Sequence, residues 1–281
     1  VNIKMFLPDG SQVFNVNAGA KISGVCSRNN AMKSLAISLR EKEYGNGELG
    51  YRLFDNRDHD NFLRFKLRNS VQDFSRMGFR DMVNQAMLVE PVKDLEYQCG
   101  RPVRVYINGQ FWGIHNIREK YTGEYFEDNY GVNANKIDIV KSPGLPWVEV
   151  KQGSDNDFND VFNFVENNSL VDDANFQYFD DHVDVNSFLN YWIAMIYLGN
   201  YDWPANNLTV WKEQKAGEKW RYCVADTDGS TNNVLSEYSL ASYNTLDSVL
   251  SAVDTDTVWP YHKNSTLFLR KLTEREEYRD E

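Results

Sequence analysis

The chain has 281 residues, a hydrophobic share of 42%, an aromatic share of 14% and a formal net charge of −11. That length and apolar content are enough to bury a core without disulfide or metal staples, which sets aside a disordered chain. The acidic balance, with no concentrated block of Lys and Arg, argues against a nucleic-acid partner.

Cys26, Cys99 and Cys223 are too few and too scattered for a disulfide framework, and no CxxC spacing suggests zinc. No run approaches the roughly 20 apolar residues of a membrane helix. The first seven residues read as a strand rather than a signal peptide, so the sequence reads as a piece trimmed at both ends, stopping in the charged helical run 272–281.

The first third is strand-rich. Apolar runs around Met5 and Val13 flank Pro-Asp-Gly at 8–10, a hairpin signal. A small polar loop at 23–30 leads into 33–39, where Leu35, Ile37 and Leu39 alternate with period two, and 62–68 alternates in the same way. From Phe74 to Glu90 the apolar spacing suits a helix. Residues 102–107 and 110–117, joined by Asn108 and Gly109, form the strongest hairpin signal in the chain, because Asn-Gly supplies two left-handed turn residues.

After about residue 120 helices dominate. A connector is expected at 119–131. Asp184 is placed to cap a helix over 185–199, where Phe188, Leu189, Trp192, Ile193, Ile196 and Tyr197 recur at helical spacing. Strand-like runs at 208–212 and 219–225 then form a second hairpin around Gly217.

The stretch 199–229 carries the chemistry. Asp202 lies five residues before Asn207 and twenty-four before Asp226, with the hairpin between them. That is the order of a kinase catalytic loop, in which an aspartate precedes a metal-binding asparagine and a second metal-binding aspartate follows a short hairpin. Oxygen ligands on Asn207 and Asp226 suit magnesium, and a magnesium nucleotide is compatible with the acidic balance because the cation offsets local charge. Asp226-Thr-Asp-Gly also matches the DxD metal motif of glycosyltransferases, with Asp228 ranked below Asp226, but that chemistry does not require the Asp202-to-Asn207 spacing.

Other patterns lead elsewhere. The run 155–166 nearly fits an EF-hand, but its sixth position is Asp160 instead of glycine, so it reads as the start of a helix over 158–165. No GxGxxG, GxxxxGK[ST] or GxSxG is present, and His59, His115, His182 and His262 lack ligand spacing.

Taken together, Gly24 to Arg28 with Lys33 and Ser34, Phe65 to Asn69 with Asp73, Arg80 with Asp81, Val105 to Gly113 with Glu119, and then Asp202, Asn207 and Asp226 resemble the CotH kinase family, over roughly 23–230. The resemblance implies an α+β, bilobal, atypical protein-kinase-like fold in one domain over 1–281, with a β-rich half at about 1–120 and a mainly helical half at 121–281. It implies magnesium and ATP as cofactors, with ATP between the halves and the γ-phosphate passed to Ser or Thr hydroxyls of a secreted or bacterial surface protein. Asp202 is then the catalytic residue, Asn207 and Asp226 the metal ligands, Lys33 the phosphate contact, Ser27 and Arg28 further loop contacts, and Glu119 a residue bordering the nucleotide. A surface binding module or pseudokinase that keeps the fold without turnover is the non-enzymatic alternative.

Overall fold

A computed structural model describes residues 1–70, 73, 76–231, 240–253 and 259–279. Phe74, where the first helix is expected to start, and the last two residues of the 272–281 run lie outside them. Among the described residues the chain is mixed α and β, with three antiparallel sheets and nine α-helices. It divides into two compact units. Unit 1 is Val1–Val83 with Gln98–Ala134, and unit 2 is Asn84–Tyr97 with Asn135–Glu281.

Unit 1 opens with the expected hairpin, β1 (Asn2–Phe6) against β2 (Gln12–Asn17). Its turn is closed by Asp9 Oδ1, which accepts from the Ser11 amide at 2.9 Å. There follow β3 (Gly19–Ser23), β4 (Ser34–Ser38), the short α1 (Glu41–Tyr44) and β5 (Arg64–Arg68). The first long helix, α2 (Arg80–Val89), begins in unit 1 and ends in unit 2. The Asn-Gly hairpin is β6 (Gly100–Ile107) and β7 (Gln110–Arg118), with Asn108 and Gly109 both at positive φ as the turn type demands.

These strands form a five-stranded sheet in the order β3-β4-β5-β7-β6. Alternation gives the sheet two unlike faces. Ile37 lies opposite Phe65, and Leu67 lies opposite both Leu35 and Ile117. Leu39, Leu53, Phe54 and Phe62 of the same unit are buried as well. Lys66, Arg68, Asn116 and Arg118 alternate onto the other face. The expected connector at 119–131 contains a helix, α3 (Gly123–Tyr130), started by Thr122 and ended at Gly131 in the left-handed region. Its apolar residues are the aromatic trio Tyr125, Phe126 and Tyr130, too few to show a clear period.

Unit 2 holds more sheet than the single hairpin read from the sequence. β8 (Ile137–Lys141) and β9 (Glu149–Gln152) extend β10 (Thr209–Glu213) and β11 (Arg221–Cys223) into a four-stranded sheet, order β11-β10-β8-β9. Ile137, Asp138, Ile139 and Val140 are all buried, so β8 shows no polar-apolar alternation. Its buried Asp138 is satisfied by the Ser154 amide and by Gln214 Nε2, each at 2.7 Å.

The helices are α4 (Asn156–Asn167), α5 (Asp173–His182), α6 (Val185–Leu198), α7 (Thr245–Leu250), α8 (Lys263–Leu272) and α9 (Glu276–Arg279). The acidic run near 155 does begin α4, although Asp155 caps by position only and its carboxylate makes no cap bond. Asp184 caps α6 as expected, accepting from the Ser187 amide at 3.0 Å, and Gly199 ends that helix at φ +57°. The core of unit 2 is aromatic around α6: Phe188 meets Tyr222 edge-on at 5.1 Å and Trp192 meets Trp203 at 4.7 Å. This packing fixes where the chain leaves α6, and the residues of the catalytic-loop pattern follow at once.

Candidate active site

Unit 2 brings Asp202, Asn207 and Asp226 together. Asn207 Nδ2 donates to Asp202 Oδ2 at 2.9 Å, and Asn206 Nδ2 donates to the same oxygen at 3.0 Å. Asn200 ties the two loops: its Oδ1 accepts from the Asp202 amide at 3.0 Å, while its Nδ2 donates to the Asp226 carbonyl at 2.9 Å. The Tyr201 amide adds a bond to the Gly229 carbonyl at 3.2 Å. A Cβ on Gly229 would lie 2.7 Å from Asn200 Oδ1, so only glycine lets the two loops approach this closely.

The loop is anchored in the core through Trp203, which is fully buried with its Nε1 donating to the Tyr191 hydroxyl at 2.7 Å. The Trp203-Pro204 peptide is cis. Trp147 Nε1 and the Pro260 carbonyl hold the backbone of Ala205 from two sides, at 2.9 and 3.0 Å. Asn207 and Asp226 both have positive φ, +58° and +57°. Such conformations are uncommon outside glycine and gather at functional sites. Thr227–Gly229 forms a buried 3-10 turn that carries Asp228.

The electrostatics follow from this packing. Burial pushes the Asp202 carboxyl up to about 6, with the negative charge of Asp226 adding to the effect, against the opposing pull of Asn206, Asn207 and Lys141. A carboxylate of that basicity is still ionised near neutral pH and accepts a proton more readily than an ordinary aspartate. Because the Asn207 amide nitrogen is committed to Asp202, its carbonyl oxygen is left on the opposite side of the amide as a hard ligand.

Among the described residues no group of three or more His, Cys, Asp or Glu is placed to hold a metal ion. The donor set nevertheless fits magnesium, which takes one or two protein oxygens and completes its shell with phosphates and water. The like-charge pressure between Asp202 and Asp226 is the second sign of fit, since a cation at Asp226 relieves it.

The other candidates lie in unit 1. Ser27 is buried in a 3-10 turn, Cys26–Asn29, with Gly24 at φ +100° packed on its hydroxyl. Arg28 is exposed, and its carbonyl accepts from Lys33 Nζ at 2.6 Å, so Lys33 folds back on the loop that precedes it. His115 Nε2 stands 2.9 Å from the Lys33 carbonyl, and Asn69 bonds both Ser34 and the Met32 carbonyl, which fixes the base of the loop to the sheet. Glu119 is buried and clamped: Arg57 binds both its carboxylate oxygens at 2.8 Å, and the Cys99 amide donates to Oε2 at 2.6 Å. Its carboxylate is engaged within unit 1.

Asn200, Asn206, Lys141 and Gly229 were not among the residues picked from the sequence. Asn200 follows a helix-ending glycine, and nothing in spacing distinguishes it from an ordinary turn residue.

A family model described as CotH kinase protein matches residues 20–281. The chain belongs to the CotH kinase family. The match covers every candidate residue in both units, and a kinase family carries with it the general use of ATP and a divalent metal. No curated protein matches the chain. Among the described residues no helix is long and apolar enough to cross a membrane.

Proposed function

We propose that this CotH family member is an active, bilobal, magnesium-dependent protein kinase that transfers the γ-phosphate of ATP to Ser or Thr hydroxyls. The observation that carries this reading is the Asp202-Asn207 hydrogen bond, joined through Asn200 to the loop of Asp226. Phosphoryl transfer needs positioned charge and an oriented hydroxyl more than covalent chemistry, and these residues are held for that. Asp202 accepts the proton of the attacking hydroxyl, and Asn206 and Asn207 orient its carboxylate. Asn207 and Asp226 would hold magnesium, which supplies neutralisation of phosphate charge when bound. From unit 1, Lys33 contacts phosphate, with Ser27 and Arg28 beside it and Glu119 supporting the strand end. The acceptor is taken to be a secreted or bacterial surface protein, a reading that rests on family resemblance.

Thermal melting with ATP, with and without magnesium, tests it. A kinase site predicts stabilisation by ATP that grows with magnesium. Melting curves indifferent to both would favour a binding module that has kept the fold and lost the nucleotide.

A further inference from the structure

The segment 226–231 holds an awkward backbone. Asp226 and Thr231, at its two ends, have positive φ, +57° and +51°, a conformation that a residue with a side chain keeps only when its surroundings enforce it. One fastening is the end of α6 and the turn after it. Asn200 Nδ2 donates to the Asp226 carbonyl at 2.9 Å, the Tyr201 amide to the Gly229 carbonyl at 3.2 Å, and the Thr231 amide to the Leu198 carbonyl at 2.9 Å.

A second fastening comes from α2, 143 residues before Thr227 in the chain. Asn84, on the part of α2 that belongs to unit 2, donates from Nδ2 to the Thr227 carbonyl at 2.8 Å and accepts at Oδ1 from the Thr231 hydroxyl at 3.2 Å. One amide therefore bridges the two ends of the segment. Its orientation is settled by chemistry, because a carbonyl only accepts, so the nitrogen must face Thr227. Asn84 is only 3% exposed, and asparagine is a weak helix former that is costly to bury without partners. Neither helix propensity nor apolar packing selects it there; its two bonds to 226–231 do.

We propose that Asn84 is a positioning residue for the metal ligand Asp226, holding the segment 226–231 from α2 while Asn200 holds it from the end of α6. Asn84 acts through Thr227 and Thr231. The proposal deepens the kinase reading and rests on it for the role of Asp226, whereas the clamp itself belongs to the chain without metal.

Two measurements on the whole chain test it and tell the two apart. The first is amide hydrogen exchange without nucleotide or metal, in which Asn84→Ala should lose protection at the Thr231 and Tyr201 amides while α6 and α8 exchange as in wild type. The second is calorimetric titration with ATP, with and without magnesium. Asn84→Ala should cut the magnesium-linked gain in ATP affinity by about tenfold and leave the magnesium-free affinity at the wild-type level. Thr231→Val should move both readouts the same way and Thr231→Ser should restore them, so the hydroxyl carries the test if Asn84→Ala fails to fold. Wild-type protection in a folded Asn84→Ala would overturn the clamp, and so would equal weakening of ATP with and without magnesium. Lost protection in the variant, beside a wild type with no magnesium-linked affinity, would keep the clamp and sink the kinase reading. Lost protection with an undiminished magnesium gain would keep the kinase reading and overturn Asn84 as a positioning residue for Asp226.

Discussion

At the residue scale, the basicity of Asp202 gives a pH signature separate from activity. Its carboxyl is held at about 6 against an ordinary value of 3.8, so between those values the folded state binds a proton that the unfolded chain has lost. Stability from this group is therefore present below pH ~4 and falls as pH rises through ~6. Asp202→Asn removes that loss and should raise stability at pH 7 by up to about 3 kcal/mol, with a flatter profile from pH 4 to 7 in denaturant titrations. A variant no more stable than wild type at pH 7 would mean the carboxylate is not strained by burial and Asp226. Asp226→Ala makes two changes in this account. It should abolish the magnesium dependence of nucleotide binding, and it should lower Asp202 toward the usual carboxylate range by removing a neighbouring charge. Retained magnesium-linked affinity in that variant would rule out Asp226 as a metal ligand. Lys33→Met should weaken ATP more than adenosine, which has no phosphates to lose; equal weakening would point to damage in the loop that Lys33 closes by its bond to Arg28.

At the element scale, the active loop depends on two anchors that touch no substrate in this account. Trp203 fills the core beside Trp192 and bonds Tyr191, so Trp203→Ala should cost about 3–5 kcal/mol. Gly229→Ala is the finer test of the Asn200 clamp. The added methyl meets Asn200 Oδ1 and the Tyr201 ring, so transfer activity should fall while most of the fold persists, as read by circular dichroism beside the kinetic assay. Activity at the wild-type level would show that the two loops do not need their close approach. The elements were legible where local chemistry decides them: the Asn-Gly hairpin, the Pro-Asp-Gly turn and the helix between Asp184 and Gly199 all stand as the sequence reads. β8 was not, because a five-residue strand buried on both faces lacks the alternation that marks a strand, and β9 is only four largely exposed residues with no buried face to alternate. α3 was missed for a related reason, as eight residues are too few for a helical period to emerge from aromatic clustering.

At the scale of the whole molecule, family membership over 20–281 and a fold of two compact units are what the chain shows, and phosphate transfer is what its loop geometry proposes. The acid, its asparagine partner and the second aspartate were legible because they obey a spacing along the chain. Asn200 and Lys141 were not, since their places beside Asp202 arise from loop closure and strand register, which sequence order does not record. Ligand linkage gives one global check: magnesium-ATP at a hundredfold over its Kd should stabilise the chain by about 2.7 kcal/mol. The most direct measurement of the central claim is transfer of labelled phosphate from ATP to a Ser/Thr-rich acceptor with magnesium present, wild type beside Asp202→Asn. Wild type should transfer phosphate, and a folded Asp202→Asn that still binds nucleotide should give background counts; similar rates from the two proteins would rule out Asp202 as the catalytic residue.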